Sequence, residues 1–230
     1  MTQTHSTLDT RRDEATERRS RWPLYGAAAG LLGFAGTIVL DGRSSDMAEG
    51  VELSHQLFVD LNPFVYRASM IAGYLAVVLL LVMAASWRRR VEPRVPGSTA
   101  AHLVPFGLVA SAAGLTYGYA WKGALGNYIP GGMEDTFYDD QGLYVYFLLN
   151  DFGSFIGWLG VVAAAGAVAW MALRERTVSR WIGIVSLLPV LQTTVMVAMG
   201  VPGVPGLLAG PWLVVLGLGL AFGKKSTITR

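Results

Sequence analysis

Residues able to hold a charge, bind a polar ligand or move a proton fall into two groups along the 230-residue chain. The first joins Asn150 and Asp151 to Arg67, Lys122, His55 and Asp60: a carboxylate and an amide, two cations, an imidazole and a second carboxylate. Asp151 is flanked by Phe147, Leu148, Leu149 and Phe152, so a partly buried carboxylate is expected. Arg67 and Lys122 are the cations at its level. Two uses fit this pattern. One is a structural ion pair, with Asn150 or Asp151 capping a helix that opens at Gly153; the other is a ligand or partner site. The second group is Gln192-Thr193-Thr194, one turn after Pro189. The proline frees a backbone carbonyl and Gln192 is able to bond across helices, so interhelical adhesion competes here with a solute site.

Other chemistries lack their residues. The chain has no cysteine, which removes disulfides, thiol relays and thiolate metal sites. Glu134, Asp135, Asp139 and Asp140 come as two adjacent pairs, without the alternating ligands and turning glycine of a calcium loop. They are weak metal candidates, and no metal is expected. His102 belongs at one membrane edge and His55 at the other, ~30 Å apart, so the two cannot share a haem within one chain. No cofactor is expected. Nucleophile elbows, HExxH and phosphate loops are absent from the sequence.

The elements that must carry these residues follow from composition. Hydrophobic residues make up 53% and charged ones 15%, against about a quarter charged in soluble domains. Mean hydropathy is +0.44. These values indicate an all-α, polytopic membrane protein. Six stretches supply the ~20 apolar residues a bilayer crossing needs: Pro23 to Leu40, Val65 to Trp87, His102 to Trp121, Gly153 to Leu173, Trp181 to Met199, and Val204 to Phe222. The first is expected to be retained rather than cleaved, since acids mix with the arginines before it and no A-x-A site precedes Asp41.

Charge sets the orientation. Of 18 Lys and Arg residues, 15 fall in the segments on one side, leaving Arg43, Arg67 and Lys122 on the other with ten of the 16 acids. The positive-inside rule therefore places both termini in the cytoplasm of a six-helix bundle in a plasma membrane, N-in and C-in. The arginine-rich, Ala/Gly/Val-rich composition suggests a bacterial inner membrane. Residues 1–21 are expected to be a disordered basic segment, 22–223 the membrane domain and 224–230 a cytoplasmic tail.

Two outer loops, Asp41 to Phe64 and Lys122 to Phe152, exceed the usual connector length. Gly50 to Asn62 has helical apolar spacing and reads as a short amphipathic helix. Gly142 to Asn150 either extends the fourth helix outward or dips into the membrane. Gly26/Gly30, Gly153/Gly157 and Gly206/Gly210 have GxxxG spacing, which packs a bundle or joins it to a homo-oligomer or another membrane protein. Partners are the lipid bilayer and such proteins; no soluble basic domain exists to dock on nucleic acid. The sequence thus points away from an enzyme, towards an accessory, sensor or binding protein using its outer loops. The alternatives are a facilitator of a small neutral solute and an outer-face enzyme.

Overall fold

Short polar residues start most of the helices. Asn62 accepts from Phe64 N at 3.0 Å with Pro63 in the first turn, Ser98 accepts from Ala101 N at 3.0 Å, and Asp139 accepts from Gly142 N at 2.9 Å. Each satisfies an N–H that the first turn leaves without a partner. The computed structural model describes residues 21–41, 55–201 and 205–223, apart from the side chains of residues 55, 56 and 151. The expected disordered segment and tail, Arg43, and the turn at Pro202-Gly203-Val204 lie outside that description.

The helices are α1 (Leu24–Phe34, continued by a π turn, Ala35–Val39), α2 (His55–Val59), α3 (Pro63–Arg90), α4 (Thr99–Tyr128), α5 (Asp140–Ile156), α6 (Leu159–Trp170, continued by a π turn, Met171–Glu175), α7 (Arg180–Ala198) and α8 (Pro205–Phe222). There is no strand among the described residues. Five segments are long and apolar enough to cross a membrane: Pro63–Arg94, Thr99–Tyr128, Asp140–Glu175, Arg180–Ala198 and Pro205–Phe222. The sixth expected segment is apolar but shorter, with 11 α-helical residues and 5 in the π turn.

Glycine contacts reveal the packing. Gly107, Gly114 and Gly118 of α4 meet Gly160, Gly157 and Gly153 in turn, so the α5–α6 rod runs antiparallel to α4. Gly30 meets Gly210, and Gly217 meets Ala27, which sets α1 antiparallel to α8. Gly26, Gly33 and Gly36 of α1 descend past Met83, Ala76 and Gly73 of α3 in the same sense. All three GxxxG pairs therefore face contacts within the chain, and at Gly30, Gly153 and Gly157 the neighbours come too close for a β-carbon. The rod breaks at Gly157-Trp158, where Val161 N donates both to Trp158 O at 3.0 Å, within the new helical turn, and to Ser111 Oγ at 2.8 Å across the α4–α6 contact.

Two cores result. The larger, including Leu80, Trp87, Leu108, Leu115, Tyr119, Trp158, Val161 and Leu213, fills the bundle. The smaller gathers Leu57, Phe58, Leu61, Tyr66, Leu125, Ile129, Leu143 and Phe147 where α2 lies on the outer ends of α4 and α5. Of the short amphipathic helix expected in the first outer loop, the described part is α2, whose Leu57 and Phe58 are buried against protein.

Helix boundaries correct the second outer loop. Its expected span, Lys122 to Phe152, shrinks to residues 129–139, because α4 continues to Tyr128 and α5 already begins at Asp140. Gly142 to Asn150 is thus an outward helical extension. Asn150 and Asp151 lie inside this helix and do not cap it; Asp139 does.

Substituting Gly107 or Gly160 by Val forces a side chain into the opposing carbonyl oxygen. Each variant should lose at least ~1–3 kcal/mol, the cost of an overpacked core. Gly97→Ala, which meets nothing within 4 Å, should leave the melting temperature in detergent unchanged.

Candidate functional site

Beneath the end of the bundle that carries the second core lies a buried polar junction built around the C-terminal turn of α1. The last carbonyls of a helix lack intrahelical donors and carry the negative end of its dipole. Here the Nζ of Lys122, a fully buried residue, donates to Gly36 O at 3.0 Å and Thr37 O at 3.4 Å. Ser69 Oγ of α3 donates to Gly36 O as well. Oxygen acceptors and a helix C-terminus are what an ammonium group needs once removed from water.

A directed chain of hydrogen bonds runs beside it. Trp158 Nε1 donates to Thr37 Oγ1 at 3.1 Å, the Thr37 and Tyr119 hydroxyls are 2.9 Å apart, and Tyr119 OH donates to Gly33 O at 3.0 Å. Since the Tyr119 proton is committed to Gly33, Thr37 must donate to Tyr119. Tyr119 and Lys122 stand three residues apart on α4, so one helix face serves both.

The opposing wall belongs to α5. Asn150, Ser154 and Trp158 recur at four-residue intervals and all three are buried. Gly118 lies against Gly153 and Ser154, so one turn further out brings Lys122 level with Asn150. Neither Oδ1 nor Nδ2 of Asn150, nor Oγ of Ser154, has a hydrogen-bond partner within the protein. Unmet buried polar groups of this kind cost about 1–3 kcal/mol each. They are the chemically available groups of the junction.

The other candidates disperse. Arg67 of α3 donates from Nε to Asn127 Oδ1 at 3.2 Å, with its Nη2 buried and without a hydrogen-bond partner. The side chains of Asp151 and His55 lie outside the described residues, and Asp60 is exposed on the turn after α2. Lys122, expected at the head of a loop, is instead enclosed two turns below the end of α4. Among the described residues no three His, Asp or Glu side chains converge as a metal site. Glu134 and Asp135 are exposed, Asp139 uses Oδ1 as a cap and Asp140 opens α5.

On α7, Thr194 bonds its own helix, to Val190 O at 2.8 Å. Thr193 is buried without a hydrogen-bond partner, and Gln192 is half-buried. An interhelical bond on α7 is made by Ser186, whose Oγ accepts from Trp212 Nε1 at 2.9 Å and donates to Ile182 O at 2.7 Å. Trp158 and Trp212 are both buried in the bundle. Tyr119 and Ser154 were overlooked in the sequence. The available signal was spacing: Tyr119/Lys122 and Asn150/Ser154/Trp158 each mark a polar stripe at helical period.

The outer core is roofed by aromatic rings. Tyr128 packs edge-on against Tyr138 at 4.8 Å and stacks on Phe137 at 5.8 Å, and Tyr146 closes the group at 5.4 Å from Tyr128. Ile129-Pro130-Gly131-Gly132 forms a tight turn, with Gly132 N bonded to Ile129 O at 2.8 Å and Gly131 at φ 78°, which glycine adopts freely. Comparison with protein-family models, curated proteins and solved structures returns no match to this chain.

Lys122→Met removes the ammonium donor from Gly36 O, which keeps Ser69, and from Thr37 O, and should destabilise the protein by about 1.5–3 kcal/mol, the range for hydrogen bonds to a charged group. Tyr119→Phe, which removes a neutral hydroxyl, should cost about 1 kcal/mol. Asn150→Leu removes two unmet polar atoms and should leave the melting temperature unchanged or higher; a fall would mean that the amide holds a bridging water or ligand.

Proposed function

We propose that this is a six-span protein of a bacterial inner membrane, with both termini cytoplasmic, that acts as an accessory or binding protein through its outer cap. The observation that carries the reading is the second hydrophobic core. At ~1.5 Å per residue, the 30 residues of α4 extend ~45 Å and the 36-residue Asp140–Glu175 rod ~54 Å, against a hydrocarbon core of ~30 Å. With Trp87, Trp170 and Trp181 at the arginine-rich interface, the surplus length lies at the opposite end. There α2, the end of α4 and the start of α5 assemble a folded cap.

The cap keeps apolar surface exposed. Met133 is 77% and Phe137 66% accessible, and Glu134, Asp135, Asp139 and Asp140 surround them. Exposed apolar groups within a charged rim support partner binding. The sign of the rim favours a basic segment of another membrane or exported protein that presents an apolar side chain.

A facilitator draws less support. The interior between α1, α4 and α5 is occupied by Tyr119 and Trp158, and Trp212 fills the α7–α8 contact. The outer-face enzyme reading rests on Asp151, His55 and the acidic pairs, and no described contact brings these together.

Two experiments test the proposal. A reporter fused after Arg230 should report the cytoplasm; a periplasmic signal would overturn the topology. A photo-cross-linking residue at position 137 should yield a stoichiometric protein adduct in native membranes that disappears in Glu134→Gln/Asp135→Asn. Adducts insensitive to the rim variant, or solute flux by the purified protein in liposomes, would contradict the cap as a binding surface.

A further inference from the structure

We infer that the arginine-rich end carries an anionic phospholipid site in the crevice between α1 and α3. The inference rests on membrane embedding but not on the function assigned to the outer cap. The crevice has a volume of about 600 Å³ and is lined by Arg21, Trp22 and Tyr25 of the α1 side and by Val82, Ser86 and Arg90 of α3. Two guanidinium groups and a hydroxyl converge on it from two helices. That donor set matches a phosphodiester, which a guanidinium engages through paired N–H groups. Arg90 contributes five N–H donors, enough to serve a phosphate alongside its contact within the protein.

The level and walls suit a lipid better than a free anion. Trp22 packs edge-on against Trp87 at 6.2 Å, marking the headgroup depth at which indoles settle. Tyr25 and Val82 are exposed on the apolar flank of the crevice, where an acyl chain would descend. Basic pockets between helices at such an interface recognise anionic headgroups.

Native mass spectrometry of the detergent-solubilised full chain, titrated with phosphatidylglycerol and with phosphatidylcholine of identical chains, tests this. Phosphatidylglycerol adducts should dominate, and Arg21→Gln and Arg90→Gln should each weaken them about fivefold, as expected for one basic residue at an anionic surface. The control Arg174→Gln/Arg180→Gln should retain them. Equal binding of the two lipids, or a preference that survives Arg21→Gln/Arg90→Gln, would overturn the site. Displacement of the lipid by millimolar inorganic phosphate would also overturn it, leaving an anion site without lipid recognition. Because both arginines are exposed, unchanged melting of the variants separates lost binding from lost folding. Failure here leaves the topology and the cap standing, since the reporter and the cross-link read those independently.

Discussion

The end of a short apolar helix, satisfied by donors from its neighbours, governs this structure. Leu24–Val39 provides ~24 Å of rise for a hydrocarbon thickness of ~30 Å, and Trp22 holds its beginning level with Trp87 at the far interface. The carbonyls of Gly33, Gly36 and Thr37 near its end accept from side chains of the protein. Lipid offers them no donor, so the bundle has to. Lys122, Ser69, Tyr119 and Trp158 supply donors or order the groups that do, and they come from three other helical segments.

Much of the remaining architecture serves that junction. Tyr119 reaches α1 only because Gly73 lets its ring lie against the α3 backbone, and Trp158 has room only because Gly33 lacks a side chain. The break after Gly157 comes at the tryptophan that bonds Thr37, and Ser111 ties the turn that follows to α4 through Val161 N. Glycine seams, a helix break and a buried lysine thus form one packing solution. Outside it, α4 and α5 run on past the hydrocarbon and support an aromatic roof. That roof packs on the second core and presents a surface of its own.

The bundle was legible in the sequence because crossing a bilayer imposes a length and an apolar composition that few other constraints mimic. Helix ends were less so: expected at Val65 and His102, the starts of α3 and α4 fall at Pro63 and Thr99, where Asn62 and Ser98 cap them. Lys122 was misplaced for a physical reason: hydropathy treats a lysine as the end of a span, whereas a helix C-terminus provided by another segment makes its burial tolerable. Asn150-Asp151 looked like a cap because Asx residues precede many helices, yet Asp139 is the residue with an exposed first turn to serve. The pairing of Gly118 with Gly153, or of Thr37 with Trp158, is tertiary, and residue type alone does not reveal it.

The central claim is that Gly36 and Thr37, in the last turn of α1, are buried in protein. The chain contains no cysteine, so a single Thr37→Cys substitution gives an isolated probe at that end. Reaction with a membrane-impermeant thiol reagent, compared with Met133→Cys on the exposed cap, measures access directly. The account predicts rapid modification at position 133 and protection at position 37. Comparable labelling of both would mean that α1 ends in water and that the junction does not exist.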